Sequence, residues 1–151
     1  MTSIYNFLKF IEEKTGKKMP LKVKIKVAPE TLTKEDSIID DGADLNSLTN
    51  IPEGFNPTVG GSLWLSGLKT VPEGFNPVVE GNLYLTNVTT LPNGFSPTVG
   101  GYLDLDRLRE FPDDFNPIVR GRMFLGALKT PYTLAELKER FPNVKGGIFT
   151  N

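Results

Sequence analysis

The hexapeptide Pro52-Glu-Gly-Phe-Asn-Pro57 returns three times, always 20 residues on, as Pro72-Glu-Gly-Phe-Asn-Pro77, Pro92-Asn-Gly-Phe-Ser-Pro97 and Pro112-Asp-Asp-Phe-Asn-Pro117. A fixed period of this length leaves few architectures open. Each unit is too short to bury an apolar face alone, so the copies must stack and cover one another. The chain therefore reads as a solenoid. Its coils are residues 43–60, 61–80, 81–100, 101–120 and a truncated 121–130, and 1–42 and 131–151 serve as caps on a single domain.

The pattern inside the unit says which side chains face in. Leu63/Leu65, Leu83/Leu85, Leu103/Leu105 and Met123/Leu125, preceded by Ala43/Leu45, are each separated by one residue. Period 2 means a short strand with both side chains inward. Leu48, Leu68, Val88, Leu108 and Leu128 follow three residues later, and Ile51, Val71, Leu91 and Phe111 three after that. Phe55, Phe75, Phe95 and Phe115, then Val59, Val79, Val99 and Val119, complete six inward columns. In Val71-Pro-Glu-Gly74 the Pro fixes φ and the Gly closes a β-turn. Asp114 replaces that Gly in the fourth coil, where an Asp is expected to take the left-handed conformation. Gly61, Gly81, Gly101 and Gly121 open each strand at a tight bend. Pro57, Pro77, Pro97 and Pro117 hold the preceding residue extended.

The unit Gly-x-Leu-x-Leu-x-x-Leu-x-x-Val-Pro-x-Gly-Phe-x-Pro-x-Val-x resembles the short leucine-rich repeats of bacterial and bacteriophage proteins, over about residues 43–130. The Leu-x-Leu strand and the aliphatic-Pro pair carry the likeness. The family places an Asn five residues after the first strand leucine; here Leu68, Val88, Leu108 and Leu128 stand there, and the aliphatic-Pro pair comes early. A horseshoe and a flatter or more triangular β-solenoid both remain open. The resemblance implies partner binding and no catalytic residues. By analogy with phage repeats it also implies a small accessory or inhibitor protein acting on a host protein in the host cytoplasm. The expected fold is a repeat β-solenoid, leucine-rich-repeat-like, with an α/β N-terminal cap and a helical C-terminal cap.

The caps read as follows. Ile4, Phe7, Leu8 and Ile11 follow helical spacing, with Thr2 or Ser3 as N-cap and Gly16 as stop. Leu21-Lys-Val-Lys-Ile-Lys-Val27 alternates strictly and predicts a strand with Leu21, Val23, Ile25 and Val27 on one face. Lys22, Lys24 and Lys26 on the other face are a basic patch with two readings: lysines guarding an edge strand, or a stripe for nucleic-acid phosphate. Thr31–Ser37 reads as a helical turn and Ser37-Ile-Ile-Asp40 as a degenerate first strand. At the other end, Thr133 and Glu136 form a capping box. The helix they open turns Leu134, Leu137 and Phe141 inward, and Ile148-Phe149 adds a last strand.

Period 2 also fixes what faces out. Between the paired leucines sit Asp44, Trp64, Tyr84, Asp104 and Phe124. Ser62, Asn82, Tyr102 and Arg122 flank this column on one side, and Asn46, Ser66, Thr86, Asp106 and Gly126 on the other. Aromatics beside Arg are the composition of interface hot spots. The candidate partner-binding residues are therefore Trp64, Tyr84, Tyr102, Asp104, Asp106, Arg122 and Phe124. The competing reading is structural, since cross-strand aromatic pairs stabilise a sheet by themselves. Asp104 and Asp106 share a face about 7 Å apart by strand rise, a spacing compatible with glycoside hydrolysis if a sugar groove surrounds them. Otherwise they form a solvated acidic patch paired with Arg107, Arg109 or Arg122.

Composition narrows the functions further. There is no Cys and no His, which removes thiol chemistry, disulfides and the commonest general base and metal ligand. The net charge is −1, so no overall field draws nucleic acid or membrane. Residues 1–34 carry eight Lys against three Glu, while 35–60 carry six acids and no base. The acidic run Asp40-Asp-Gly-Ala-Asp44 lacks calcium-loop spacing, and no metal or cofactor is expected. No apolar run is long enough for a bilayer and no signal peptide is visible, so a soluble, cytoplasmic protein is expected. The function that fits is a non-enzymatic protein-binding module. The alternatives are carbohydrate binding or cleavage on the aromatic stripe, and nucleic-acid binding through the N-terminal lysines.

Overall fold

A computed structural model describes residues 3–129 and 131–150. Each 20-residue unit makes one turn of a parallel β-solenoid, and every turn contributes to two sheets. One sheet stacks β1 (Ile38–Ile39), β3 (Thr58–Val59), β5 (Val78–Val79), β7 (Thr98–Val99) and β9 (Ile118–Val119). The other stacks β2 (Ala43–Asp44), β4 (Leu63–Trp64), β6 (Leu83–Tyr84), β8 (Leu103–Asp104), β10 (Met123–Phe124) and β11 (Ile148–Phe149). The pairing is parallel and in register with the repeat, with Leu63 opposite Leu83 and Leu83 opposite Leu103. A third backbone ladder joins the coils where no strand forms: the Thr89 amide donates to Lys69 O, Arg109 to Thr89 O and Lys129 to Arg109 O, at 2.9–3.1 Å. Ile38–Ile39 is the degenerate first strand expected at Ser37–Asp40, but the sequence pattern did not show the rest of its sheet. Every strand of both sheets is two residues long, but Leu65 and its copies extend the alternation of the second sheet, whereas the chain bends at Gly61, Gly81, Gly101 and Gly121 just after Val59 and its copies.

The inward columns are as the spacing predicts. Leu63, Leu65, Leu68, Leu83, Leu85, Val88, Leu103, Leu105 and Leu108 are fully buried, and so are Phe115, Val119 and Met123. Ile51, Leu91, Phe111 and Leu128 are partly buried against them. Each fully buried aliphatic or aromatic side chain contributes roughly 1.5–3 kcal/mol, realised only because the coils above and below cover it. Among the described residues no polar or charged side chain is buried, and no buried side-chain nitrogen or oxygen lacks a partner.

The corners are held by backbone chemistry. Gly54, Gly74 and Gly94 lie at φ 76°, 82° and 78°, and each turn closes through the next Phe amide to the Pro carbonyl, as from Phe55 to Pro52 at 3.1 Å. Asp114 departs from expectation, because no described non-glycine residue has a positive φ. Its turn keeps the Phe115-to-Pro112 bond at 3.0 Å, as a turn with negative φ can. The Asp114 carboxylate instead accepts from the Gly94 amide in the coil before, at 2.9 Å. Side chains bridge coils elsewhere too. Asn56 accepts from the Asn76 amide and Asn76 from the Ser96 amide. Ser62 accepts from the Asn82 amide and Asn82 from the Tyr102 amide.

The N-terminal cap differs from the sequence expectation. Leu21–Val27 is a helix, α2, not a strand, and follows α1 (Ser3–Thr15). Thr2 and the side chains of Ser3 and Ile4, on which the expected N-cap and the first inward position fall, lie outside what is described. In α2, Leu21 and Ile25 are four residues apart and pack against the core. Alternation over seven residues had hidden this i, i+4 pair. Its three lysines do not form a row. Lys24 donates to Asp36 at 2.7 Å and Lys22 pairs with Asp41 at 3.0 Å, so two lysines of the basic cap meet acids of the segment that follows it. A short 3-10 turn at Pro29–Thr31 leads to β1.

Asp36 gives a pH test of this cap. Burial pushes its carboxyl up, but the Lys24 ammonium, the Thr33 amide and the Thr33 hydroxyl outweigh that and hold it below the usual carboxylate range. A depressed carboxyl stabilises the fold above its unfolded pKa, and that contribution is lost as pH falls through the folded value. Asp36→Asn should therefore lower the thermal midpoint at neutral pH and match the parent chain in strong acid. A gap between the two that stayed constant across that range would show that the cap does not rely on the charge.

At the other end α3 (Leu134–Arg140) carries the expected capping box. The Thr133 hydroxyl accepts from the Glu136 amide at 3.1 Å, and Glu136 accepts from the Thr133 amide at 2.7 Å. Leu137 and Phe141 are buried as predicted, but Leu134 is 50% exposed. The helix docks through its last turn, where Phe141 meets Phe111 at 5.1 Å and Phe115 at 5.4 Å between ring centroids. Residues 143–149 then continue both sheets: Val144 bridges to Val119, and β11 pairs with β10.

A candidate interaction face

The outward face of the second sheet holds the predicted aromatics, placed there by strand parity and the 20-residue register. Trp64 and Tyr84 stack with ring centroids 5.7 Å apart and planes within 6°. Tyr102, from the flanking column, stands perpendicular to Tyr84 at 6.3 Å and to Phe124 at 5.8 Å. It carries the contact past Asp104, which breaks the central column. Phe124 stacks on Phe149 at 5.5 Å, and the Arg122 guanidinium lies over Phe149 at 5.3 Å. Five rings thus run without a gap from the second coil to the last strand.

Tyr102 and Phe149 are 40% and 44% exposed, and Trp64, Tyr84 and Phe124 are half-buried. Stacking along the solenoid axis occupies one face of Trp64 and one of Tyr84. The Tyr84 hydroxyl accepts from Asn82 Nδ2 at 3.1 Å, which fixes its ring.

Phe149 is the site residue that the repeat pattern missed. It belongs to the cap, and its register to Phe124 is 25 residues rather than 20. Its signal was the same parity rule, applied to Ile148-Phe149.

Asp104 and Asp106 lie on the rim of the stripe. Asp104 accepts from the Thr86 hydroxyl at 2.8 Å and from the Asp106 amide at 3.1 Å. Desolvation, and after it the negative charge of Asp104, push the Asp106 carboxyl above its ordinary range. Neither acid forms an ion pair with Arg107, Arg109 or Arg122; the described ion pairs all lie in the first 41 residues. The expected acid–arginine pairing is thus absent among the described residues, and Arg122 stacks on an aromatic ring instead. Nor do the structure's N-terminal lysines form the predicted basic stripe: Lys22 and Lys24 are paired, and Lys26 lines a groove between α2 and the first coil.

Among the described residues no three acidic side chains converge as a metal cage, and no helix is long and apolar enough to cross a membrane. No protein-family model matches the chain, and neither a curated protein nor a solved structure matches it. Fold and face together define a capped parallel β-solenoid with an aromatic stripe along one sheet.

Proposed function

We propose that this chain is a non-enzymatic protein-binding module whose contact surface is the stripe from Trp64 to Phe149. The observation that carries the reading is the continuity of those five rings beside Arg122 on an outward sheet face. Aromatic and arginine side chains clustered on one rigid surface are the residues that dominate protein interfaces. Asp104 and Asp106 would add polar contacts at the rim. The likeness of the repeat to short leucine-rich repeats of bacteria and bacteriophages supports a small accessory or inhibitor protein that captures a host protein in the cytoplasm, an analogy at the level of fold.

The test is capture. The tagged chain, used as bait in extract of its native host, should retain a protein identified by mass spectrometry. Trp64→Ala with Tyr84→Ala should weaken that complex roughly thirtyfold or more, the effect of losing a hot spot. The unfolding transition should remain single and cooperative. A double variant that binds as well as the parent, or that no longer folds, would remove the stripe as the contact surface.

A further inference from the structure

A second surface of the repeats carries a different chemistry, independent of the aromatic stripe. Lys69, Arg107 and Arg109 line a groove of about 640 Å³ together with Ser66, Asn87 and Thr89. No carboxylate lines it. None of the three cations has a side-chain partner among the described residues, although Asp106 and Glu110 flank the two arginines in sequence. By contrast, the part-buried Lys24 of the N-terminal cap is paired with Asp36. The main chain that carries them is fixed, because Lys69, Thr89 and Arg109 belong to the third backbone ladder, while the three cationic side chains of the groove are exposed. Lys69 and Arg109 are therefore two rungs apart, about 9.6 Å at the main chain. Asn87 is fixed by donating to Ser66 O. Gly67 and Ala127 stand at the two ends of the column that holds Asn87 and Arg107. At Gly67 even a Cβ would lie 2.4 Å from Asn46 O and 2.5 Å from Leu48 O.

The geometry points to a binding site for a small ligand bearing two or more linked phosphate groups, bridged between Lys69 on one side and Arg107 and Arg109 on the other. The lining is made of donors: guanidinium forks suit phosphate oxygens bidentately, a lysine adds a point charge, and hydroxyl and amide groups complete the shell. Cations held two rungs apart favour a ligand that spreads its charge over more than one group.

The experiment is calorimetric titration of the full chain with inorganic tripolyphosphate, monophosphate and a single-stranded oligonucleotide. Tripolyphosphate should bind tightest, and more weakly as salt is raised. Arg107→Gln with Arg109→Gln should lower its affinity roughly tenfold or more, since two charge-assisted contacts are lost. Lys22→Gln with Lys26→Gln, equal in charge removed but outside the groove, should leave it unchanged. Unfolding midpoints of both variants verify that they fold. Failure of tripolyphosphate to bind, or equal loss in both double variants, would overturn the site. Monophosphate bound equally well, or the oligonucleotide bound more tightly, would overturn the ligand class. None of these outcomes depends on the aromatic stripe, so the two proposals fail separately.

Discussion

Replacing Phe95 with Ala should cost about 3–5 kcal/mol of unfolding free energy, the range for deleting a large aromatic from a packed core. Phe95 is 1% exposed and stacks on Phe115 with centroids 6.0 Å apart and planes within 10°. It sits in a middle coil, so the cavity opens against coils on both sides. In a solenoid stability is close to a sum of units and their interfaces, so a defect here weakens two interfaces at once. Urea denaturation measures it directly. A loss under about 1 kcal/mol would mean that the phenylalanine column collapses onto the gap or contributes little to packing.

Gly121→Val should be comparably severe, by the opposite physics. Gly61, Gly81, Gly101, Gly121 and Gly146 stack at one corner, each amide from Gly81 onward donating to the glycine carbonyl one coil earlier at 2.8–3.0 Å. A Cβ at Gly121 would lie 2.5 Å from Gly101 O and 2.7 Å from Gly101 C. That contact is backbone on backbone, so no side chain can swing away. Overpacking of about 1–3 kcal/mol, together with a ladder bond of about 1 kcal/mol, gives an expected loss near 3 kcal/mol. Denaturation of the variant beside the parent chain tests it. A stability unchanged within about half a kcal/mol would show that the corner has slack.

The sequence carried the core well because a repeat states each inward position four or five times. The Leu, Val and Phe columns could be aligned against one another, and one coil's ambiguity was resolved by the next. The caps had no such redundancy. Leu21–Val27 alternates perfectly, yet the same residues place Leu21 and Ile25 on one helical face, and packing against the first coil decided for the helix. Likewise Leu134 fits the inward spacing of α3, but a helix of seven residues docks only through the turn that reaches Phe111 and Phe115.

At the candidate face, parity alone located Trp64, Tyr84 and Phe124. It could not show that Tyr102 leans in from the neighbouring column to carry the contact past Asp104, because that depends on side-chain rotation. Nor could it show that Arg122 chooses a ring over an acid. Phe149 escaped because the insertion of α3 breaks the period.

That insertion bears on how such a chain changes its reach. Gly146 and Ile148 meet Gly121 and Met123 through the same bonds that join one coil to the next, so the backbone of the closing segment docks as a further coil would, while Phe141 and Phe149 add ring contacts to Phe111 and Phe124 of the coils it follows. Together with the coils it seats on, this segment behaves as a portable stopper. Whole units of 20 residues can be lost or duplicated upstream of it without disturbing how it seats, and each such event would lengthen or shorten the aromatic stripe by one step of about 4.8 Å. The size of the surface offered to a partner is then a counted quantity, adjustable by recombination between near-identical segments while every contact inside a unit stays the same.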